Sequence, residues 1–230
     1  MTLSITNHPP YRLPKDVEIQ KIKLDEKTLD RFPYDNTETI FATFRYANDE
    51  LGKFINAVKE DVSLKDNIFI AATGDHNMRG IGYSDYPEEL VFGHEVPFYL
   101  YMPEKYIRNT DVRYDPKRLG SHKDIITTLV SHAVSDYTFY SFGCDMLSND
   151  KCNFPYAYNQ SVSVGYGKDY ACELQTDNYG VSYKITDRKH LLVSPKADDA
   201  NCTKEAAFKK LEAQLYYFQA MMPVKLEKTK

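Results

Sequence analysis

The chain has 230 residues, 42% of them hydrophobic and 27% charged, the balance of a folded protein long enough for one α/β domain with a well-buried core. Its formal net charge of -4 and its pI of 5.9 supply no global positive field, which argues against nucleic acid and an anionic bilayer as partners. No run approaches the roughly 18 apolar residues of a membrane span, and residues 1–6 lack the basic region and apolar stretch of a secretory signal.

In chain order, Leu3 to Thr6 reads as a short strand, stopped by Asn7-His8-Pro9-Pro10, where two prolines remove donors and fix the backbone. A polar, lysine-rich surface excursion follows as far as Asn36. From Thr37 the apolar residues Ile40, Phe41, Phe44, Leu51, Phe54, Ile55 and Val58 recur at threes and fours, which predicts a helix with one buried stripe. Ile68-Phe69-Ile70-Ala71-Ala72 is a wholly apolar run of strand length, as for a strand covered on both faces. It ends at Thr73-Gly74-Asp75-His76. Asn77 to Phe92, rich in Gly, Tyr, Pro and acids, reads as a loop before a second buried strand from Val96 to Met102. Ser121 can cap a further helix, with Asp124 three residues on and Ile125, Leu129, Val130 and Ala133 as its inward face.

Helix, strand, loop, strand, loop and helix is the grammar of an α/β domain built on a mainly parallel sheet. The segment after residue 150 differs. Ser161 to Val164, Tyr170 to Leu174, Val181 to Ile185 and Leu191 to Val193 are short alternating segments divided by turn residues, which predicts an antiparallel meander. A final helix runs from Thr203 to about Met222, with Phe208, Leu211, Leu215 and Phe218 on one face. The expected division is residues 1–150 and 151–230, the second packed on the same domain. Cys144, Cys152, Cys172 and Cys202 are spaced too unevenly for a zinc ribbon. They fit either two disulfides in an oxidising compartment, with Cys144 and Cys152 closing a short loop, or four separate thiols.

Ligands of open α/β sheets gather beyond the carboxyl ends of the strands, and Thr73-Gly74-Asp75-His76 sits at such an end. Asp75 offers a hard oxygen and His76 a borderline nitrogen, a pair suited to a divalent ion. Gly74 lets the backbone turn sharply enough for both to reach one side. By spacing alone such a pair is more often a capping or hydrogen-bonding pair. His8 follows the first strand and can meet the pair at the same sheet edge. His94, before the second strand, and His122, at a helix start, are candidates for stabilising a developing oxyanion or backing up a ligand. His132 reads as structural and His190 as solvated. Arg79 follows closely enough to bring positive charge to the oxygens of an anionic ester, whereas Arg45 reads as a surface group on the long helix.

The order and spacing of Thr6-Asn7-His8-Pro9-Pro10-Tyr11, Thr73-Gly74-Asp75-His76, Val96-Pro97-Phe98-Tyr99-Leu100-Tyr101 and Ser121-His122-Lys123-Asp124-Ile125 resemble the lipoteichoic acid synthase family. That family is a branch of the sulfatase and alkaline phosphatase superfamily, which also holds phosphoglycerol transferases. The resemblance reaches Phe142-Gly143-Cys144-Asp145-Met146-Leu147 and has Gly74-Asp75-His76 as its most specific element. It implies an alkaline phosphatase-like fold, here incomplete, and part of a metal-dependent enzyme that transfers a phosphoglycerol or similar headgroup. It implies that Asp75 and His76 bind one Mn, Mg or Zn ion and that His8 contacts the transferred group. Arg79, His94 and His122 join His8 as candidate binding residues for an anionic phosphoester or lipid-headgroup substrate.

In that family a metal-bound threonine is the nucleophile. The threonine and a metal-binding glutamate belong to strands before the Asn-His-Pro element, so no nucleophile is assigned to this sequence. The isolated chain is accordingly expected to be inactive and to pair with the missing half, or with itself through an exposed sheet edge. The expected location is the periplasmic or extracellular face of a bacterial membrane, with anchoring helices upstream. A sulfatase-type ester hydrolase and a non-catalytic glycan- or partner-binding module are the alternatives.

Overall fold

The computed structural model describes residues 4–18, 22–32, 34–77, 85–115, 118–136, 138–139, 141–148, 152, 156–159, 161–165, 169–175 and 180–221. They form a mixed α/β protein that divides into two compact units. One holds the described residues of Met1–Thr73 and Phe98–Thr110, the other those of Gly74–Asn77, Asp85–Pro97 and Asp111–Lys230.

In the first unit, α1 (Glu26–Arg31) lies inside the stretch expected to be a surface excursion. It starts because the Asp25 carboxylate accepts the Thr28 N–H at 2.7 Å, occupying one of the donors a helix leaves open at its head. The long helix α2 (Thr37–Glu60) begins where expected. The Thr37 hydroxyl lies 2.6 Å from the Phe32 carbonyl and 2.8 Å from that of Tyr34, and Phe41 meets Phe32 edge to face at 5.2 Å. Ile40, Ile55 and Val58 are buried. Phe44 and Phe54 fall on the same stripe, within about 40° of Ile40 around the helix, yet are 47% and 56% exposed. The stripe is real but only partly covered by the described residues.

No strand forms over Ser4–Thr6; the chain there runs into the turns of Asn7–Pro10. His8 N–H donates to the Ile5 carbonyl and Tyr11 N–H to that of His8, at 3.2 and 2.8 Å. Asn7 is tied to α2, its Oδ1 3.4 Å from the buried Thr43 hydroxyl. The apolar run ends in β1 (Ile70–Thr73), which pairs with β2 (Phe98–Tyr101) in the register Ile70 to Tyr101. The pairing is antiparallel, which corrects the expected mainly parallel sheet. Parallel neighbours need a crossover connection, usually a helix, and the described residues between these two strands supply only turns and a 3-10 turn at Phe92–His94. Both strands are half-buried or exposed, not covered on both faces. A short helix, α3 (Glu104–Arg108), follows Pro103.

In the second unit, α4 (His122–Ala133) starts at Ser121 as expected: Asp124 Oδ2 accepts the Ser121 backbone N–H at 2.8 Å. The face it buries is not the expected one. Asp124, Thr127 and Thr128 are buried, Ile125, Leu129 and Val130 only half-buried, and Ala133 exposed. The cause is the irregular segment from Ser141 to Met146, whose backbone donors need acceptors once covered. Cys144 N–H donates to Asp124 Oδ1 at 2.7 Å and Met146 N–H to the Thr128 hydroxyl at 2.9 Å, while the Thr127 and Ser141 hydroxyls bond each other. Gly143 permits this approach, since a Cβ there would lie 2.1 Å from the Lys123 carbonyl. A Cys144–Cys152 disulfide closes the same loop, and the Lys123 ammonium, 3% exposed, meets Asp124 at 2.5 Å.

The expected antiparallel meander is present and larger. Its strands are β3 (Tyr156–Tyr158), β4 (Val162–Gly165), β5 (Tyr170–Leu174), β6 (Gly180–Asp187), β7 (Leu192–Val193) and β8 (Asp198–Asn201). The order is β3-β4-β5-β6-β7, with β8 also paired to β6. Val162, Val164, Ala171, Tyr183, Ile185 and Val193 form one apolar core with Val91 and Leu191, each aliphatic side chain contributing about 1.5–3 kcal/mol of burial. Ser163, Cys172 and Ser182 occupy paired positions on adjacent strands and are buried too. The terminal helix α5 (Thr203–Met221) packs on β5 and β6, and a Cys172–Cys202 disulfide ties its approach to β5. Gly180 is needed beside that bond, since a Cβ would lie 2.6 Å from Cys172 Sγ. The two disulfides resolve the alternatives that spacing left open.

Replacing Asp124 with Ala removes the carboxylate partner of a buried ammonium, a change expected to cost about 3–5 kcal/mol. Ile126→Ala on the exposed side of α4 should stay within about 0.5 kcal/mol, and urea unfolding of both variants checks the contrast.

Candidate metal centre

Gly74 is held on both sides. Its N–H donates to the Pro97 carbonyl at 3.3 Å, and its carbonyl lies 2.7 Å from Nε2 of His122. The two residues that follow are exposed and turned toward each other. His76 N–H donates to Asp75 Oδ1 at 3.0 Å, and His76 Nε2 stands 3.5 Å from Asp75 Oδ2. His76 Nδ1 is 2.7 Å from the Asn77 carbonyl. A carbonyl only accepts, so Nδ1 carries a proton, and Nε2 is the ring nitrogen turned to Asp75.

Two acceptors facing each other at that distance repel unless something positive lies between them, either a proton on the ring or a cation. A backbone carbonyl that fixes one imidazole nitrogen so that the other can ligate is a regular feature of metal-binding histidines. The donor set, one carboxylate and one imidazole, therefore fits a divalent ion. It is partial, because no group of three or more His, Cys, Asp or Glu side chains converges among the described residues.

The same unit holds two more of the candidates. His122 opens α4, and with Nε2 committed to Gly74 it has Nδ1 to offer a ligand. His94 ends the 3-10 turn before β2, and partial desolvation by the surrounding chain lowers its pKa below the ordinary 6.5. His8 belongs to the other unit, where its Nδ1 lies 2.9 Å from the Pro9 carbonyl. Arg79 lies outside the described residues. His132, read as structural, is mostly buried and pairs with Asp145 at 2.9 Å. His190, read as solvated, is exposed and hydrogen-bonded to Asp187 at 2.7 Å.

Sequence reasoning missed the contact between His122 and Gly74, 48 residues apart, for which no local signal exists. It also passed over a hydroxyl cluster in which Tyr86 donates to Glu173 at 2.8 Å and lies 3.1 Å from the Tyr183 hydroxyl. The Tyr183 hydroxyl and then the Glu173 carboxylate push the Tyr86 pKa well above its ordinary value.

The family model described as Sulfatase matches residues 1–135, more than half of the 230 residues. His8, Asp75, His76, Arg79, His94 and His122 all fall inside that span. Neither a curated protein nor a solved structure matches the chain.

A His pKa depressed in the folded state contributes stability above its unfolded value and loses it as the pH falls from there through the folded one. The ring-proton resonances of His94 should accordingly titrate with a midpoint below 6.5, and unfolding the protein should return the midpoint to that value, both measurable by NMR.

Proposed function

Because the chain belongs to the sulfatase family, we propose that it forms part of a metal-dependent enzyme acting on an anionic ester, with Asp75 and His76 as two ligands of the ion. The observation that carries this reading is the facing of Asp75 Oδ2 and His76 Nε2 at 3.5 Å, with the other imidazole nitrogen bound to a backbone carbonyl. A bound Mn, Mg or Zn ion would supply Lewis acidity and charge neutralisation at the ester oxygens. The chain's own residues orient the ligands, and His8, His94, His122 and Arg79 are the residues proposed to contact the substrate.

The substrate we favour is a phosphoester of the phosphoglycerol or lipid-headgroup type, transferred to an acceptor through a threonine nucleophile. The Asn7-His8-Pro9-Pro10 and Gly74-Asp75-His76 elements support that choice. A sulfate ester is the second reading, favoured by the description of the matching family model. Two facing donors do not complete a coordination shell, so the remaining ligands and the nucleophile are proposed to come from a partner segment. The exposed Phe44 and Phe54 on α2 are an apolar surface suited to such a segment. We further propose an extracytoplasmic home. The pairing of all four cysteines supports it, since such bonds persist in oxidising compartments. Among the described residues no helix is long and apolar enough to cross a membrane.

Titration of the protein with Mn(II), followed by calorimetry or the EPR signal of the free ion, should show one site. Asp75→Asn and His76→Ala should each weaken it by more than the about tenfold that loss of a ligand-supporting group costs. Unchanged binding in both variants would remove the metal reading. Thiol counting on the denatured, unreduced protein should find no free cysteine, and four reactive thiols would overturn the proposed compartment.

A further inference from the structure

We infer that His122 is a positioning residue: by donating a hydrogen bond to the Gly74 carbonyl, it fixes the turn that presents Asp75 and His76. The inference rests on the proposed metal reading and adds a role for a residue 48 positions away in sequence.

The argument begins with Asp75 and His76 themselves, which are exposed, at 81% and 53% of their side-chain surface. Packing against neighbours therefore cannot hold them, and an unheld pair of ligands loses rotamer and backbone freedom on binding. What restrains them is the backbone on either side. Downstream, Asn77 takes the His76 ring N–H. Upstream, Gly74 has no side chain with which to anchor itself, so its peptide groups are the available handles. Pro97 takes the N–H at 3.3 Å, a long bond. His122 meets the carbonyl at 2.7 Å, the shorter of the two. Because a carbonyl cannot donate, His122 must carry its proton on Nε2.

The donor is itself well placed. His122 is the first residue of α4, directly after Ser121. The Ser121 N–H is bound by Asp124, a carboxylate without exposed surface that also takes the Cys144 N–H and the Lys123 ammonium. The imidazole thus extends from a helix start that cannot shift without disturbing a buried ion pair. An alanine in its place would keep the helix start but lose this short, directed bond.

Two measurements on the intact chain test the inference. In the metal-free protein, proton–nitrogen correlation of the histidine rings should show His122 in the Nε2–H form. In Mn(II) titrations, His122→Ala should weaken binding about tenfold or more, as for other groups that orient a ligand. His122→Gln, which keeps an N–H of comparable reach, should restore most of that loss. Circular dichroism should show all three proteins folded, since the residue is exposed at a helix end. Binding by the Ala variant equal to the parent, an Nδ1–H ring, or no recovery with Gln would each overturn the positioning role while leaving Asp75 and His76 as ligands. A parent protein that fails to bind Mn(II) would overturn the metal reading and this inference with it.

Discussion

Asp124 has no exposed surface, and a buried carboxylate survives only when a cation and hydrogen-bond donors answer it. One oxygen takes the Lys123 ammonium and the Cys144 N–H; the other takes the Ser121 N–H. These contacts make the start of α4, the direction of His122 and the course of the Ser141–Met146 segment into one object. Thr127 and Thr128 continue it along the helix. The usual logic of a surface helix is inverted here: the polar side chains face inward because the neighbour they cover is irregular backbone, which needs partners more than it needs apolar area.

That inversion marks where sequence reading worked and where it failed. The spacing of Ile40, Ile55 and Val58 was enough for α2, because a helical period is a property of the segment alone. Ser121 and Asp124 were enough to start α4 for the same reason. The buried face of α4 was not legible, since apolar periodicity pointed to Leu129 and Val130 while the governing contacts come from residues 141–146. The direction of β2 against β1 depends on the path of the connection rather than on either strand. Asp198–Asn201 is polar and lacks alternation, so it becomes β8 only because β6 offers it an edge.

The candidate centre divides the same way. Gly74-Asp75-His76 could be read as a donor pair at the end of a strand, and the pair does turn toward one point. The ring orientation that makes it plausible as a ligand set comes from the Asn77 carbonyl, a detail of backbone geometry with no residue signature. His122 was visible as a histidine near a helix start, but its partner was not. The disulfides were undecidable from spacing, and they acquire sense from the fold: β5 brings Cys172 to Cys202 beside Gly180, where a Cβ would collide with both cysteines.

The eight-residue strand β6 has β5 along one side, and its other side is shared by two short strands, β8 near Val181 and Ser182 and β7 near Ile185 and Asp187. A bare margin of that length would be a template on which a foreign chain could add. The guard is split into two pieces with different fastenings. β7 is pinned by the bond from Val193 N–H to the Glu88 carbonyl, whereas β8 leads directly into Cys202 and is stapled through it to β5. In a reducing environment only the second fastening would be released, so the guard would loosen first at the Gly180 end of the strand.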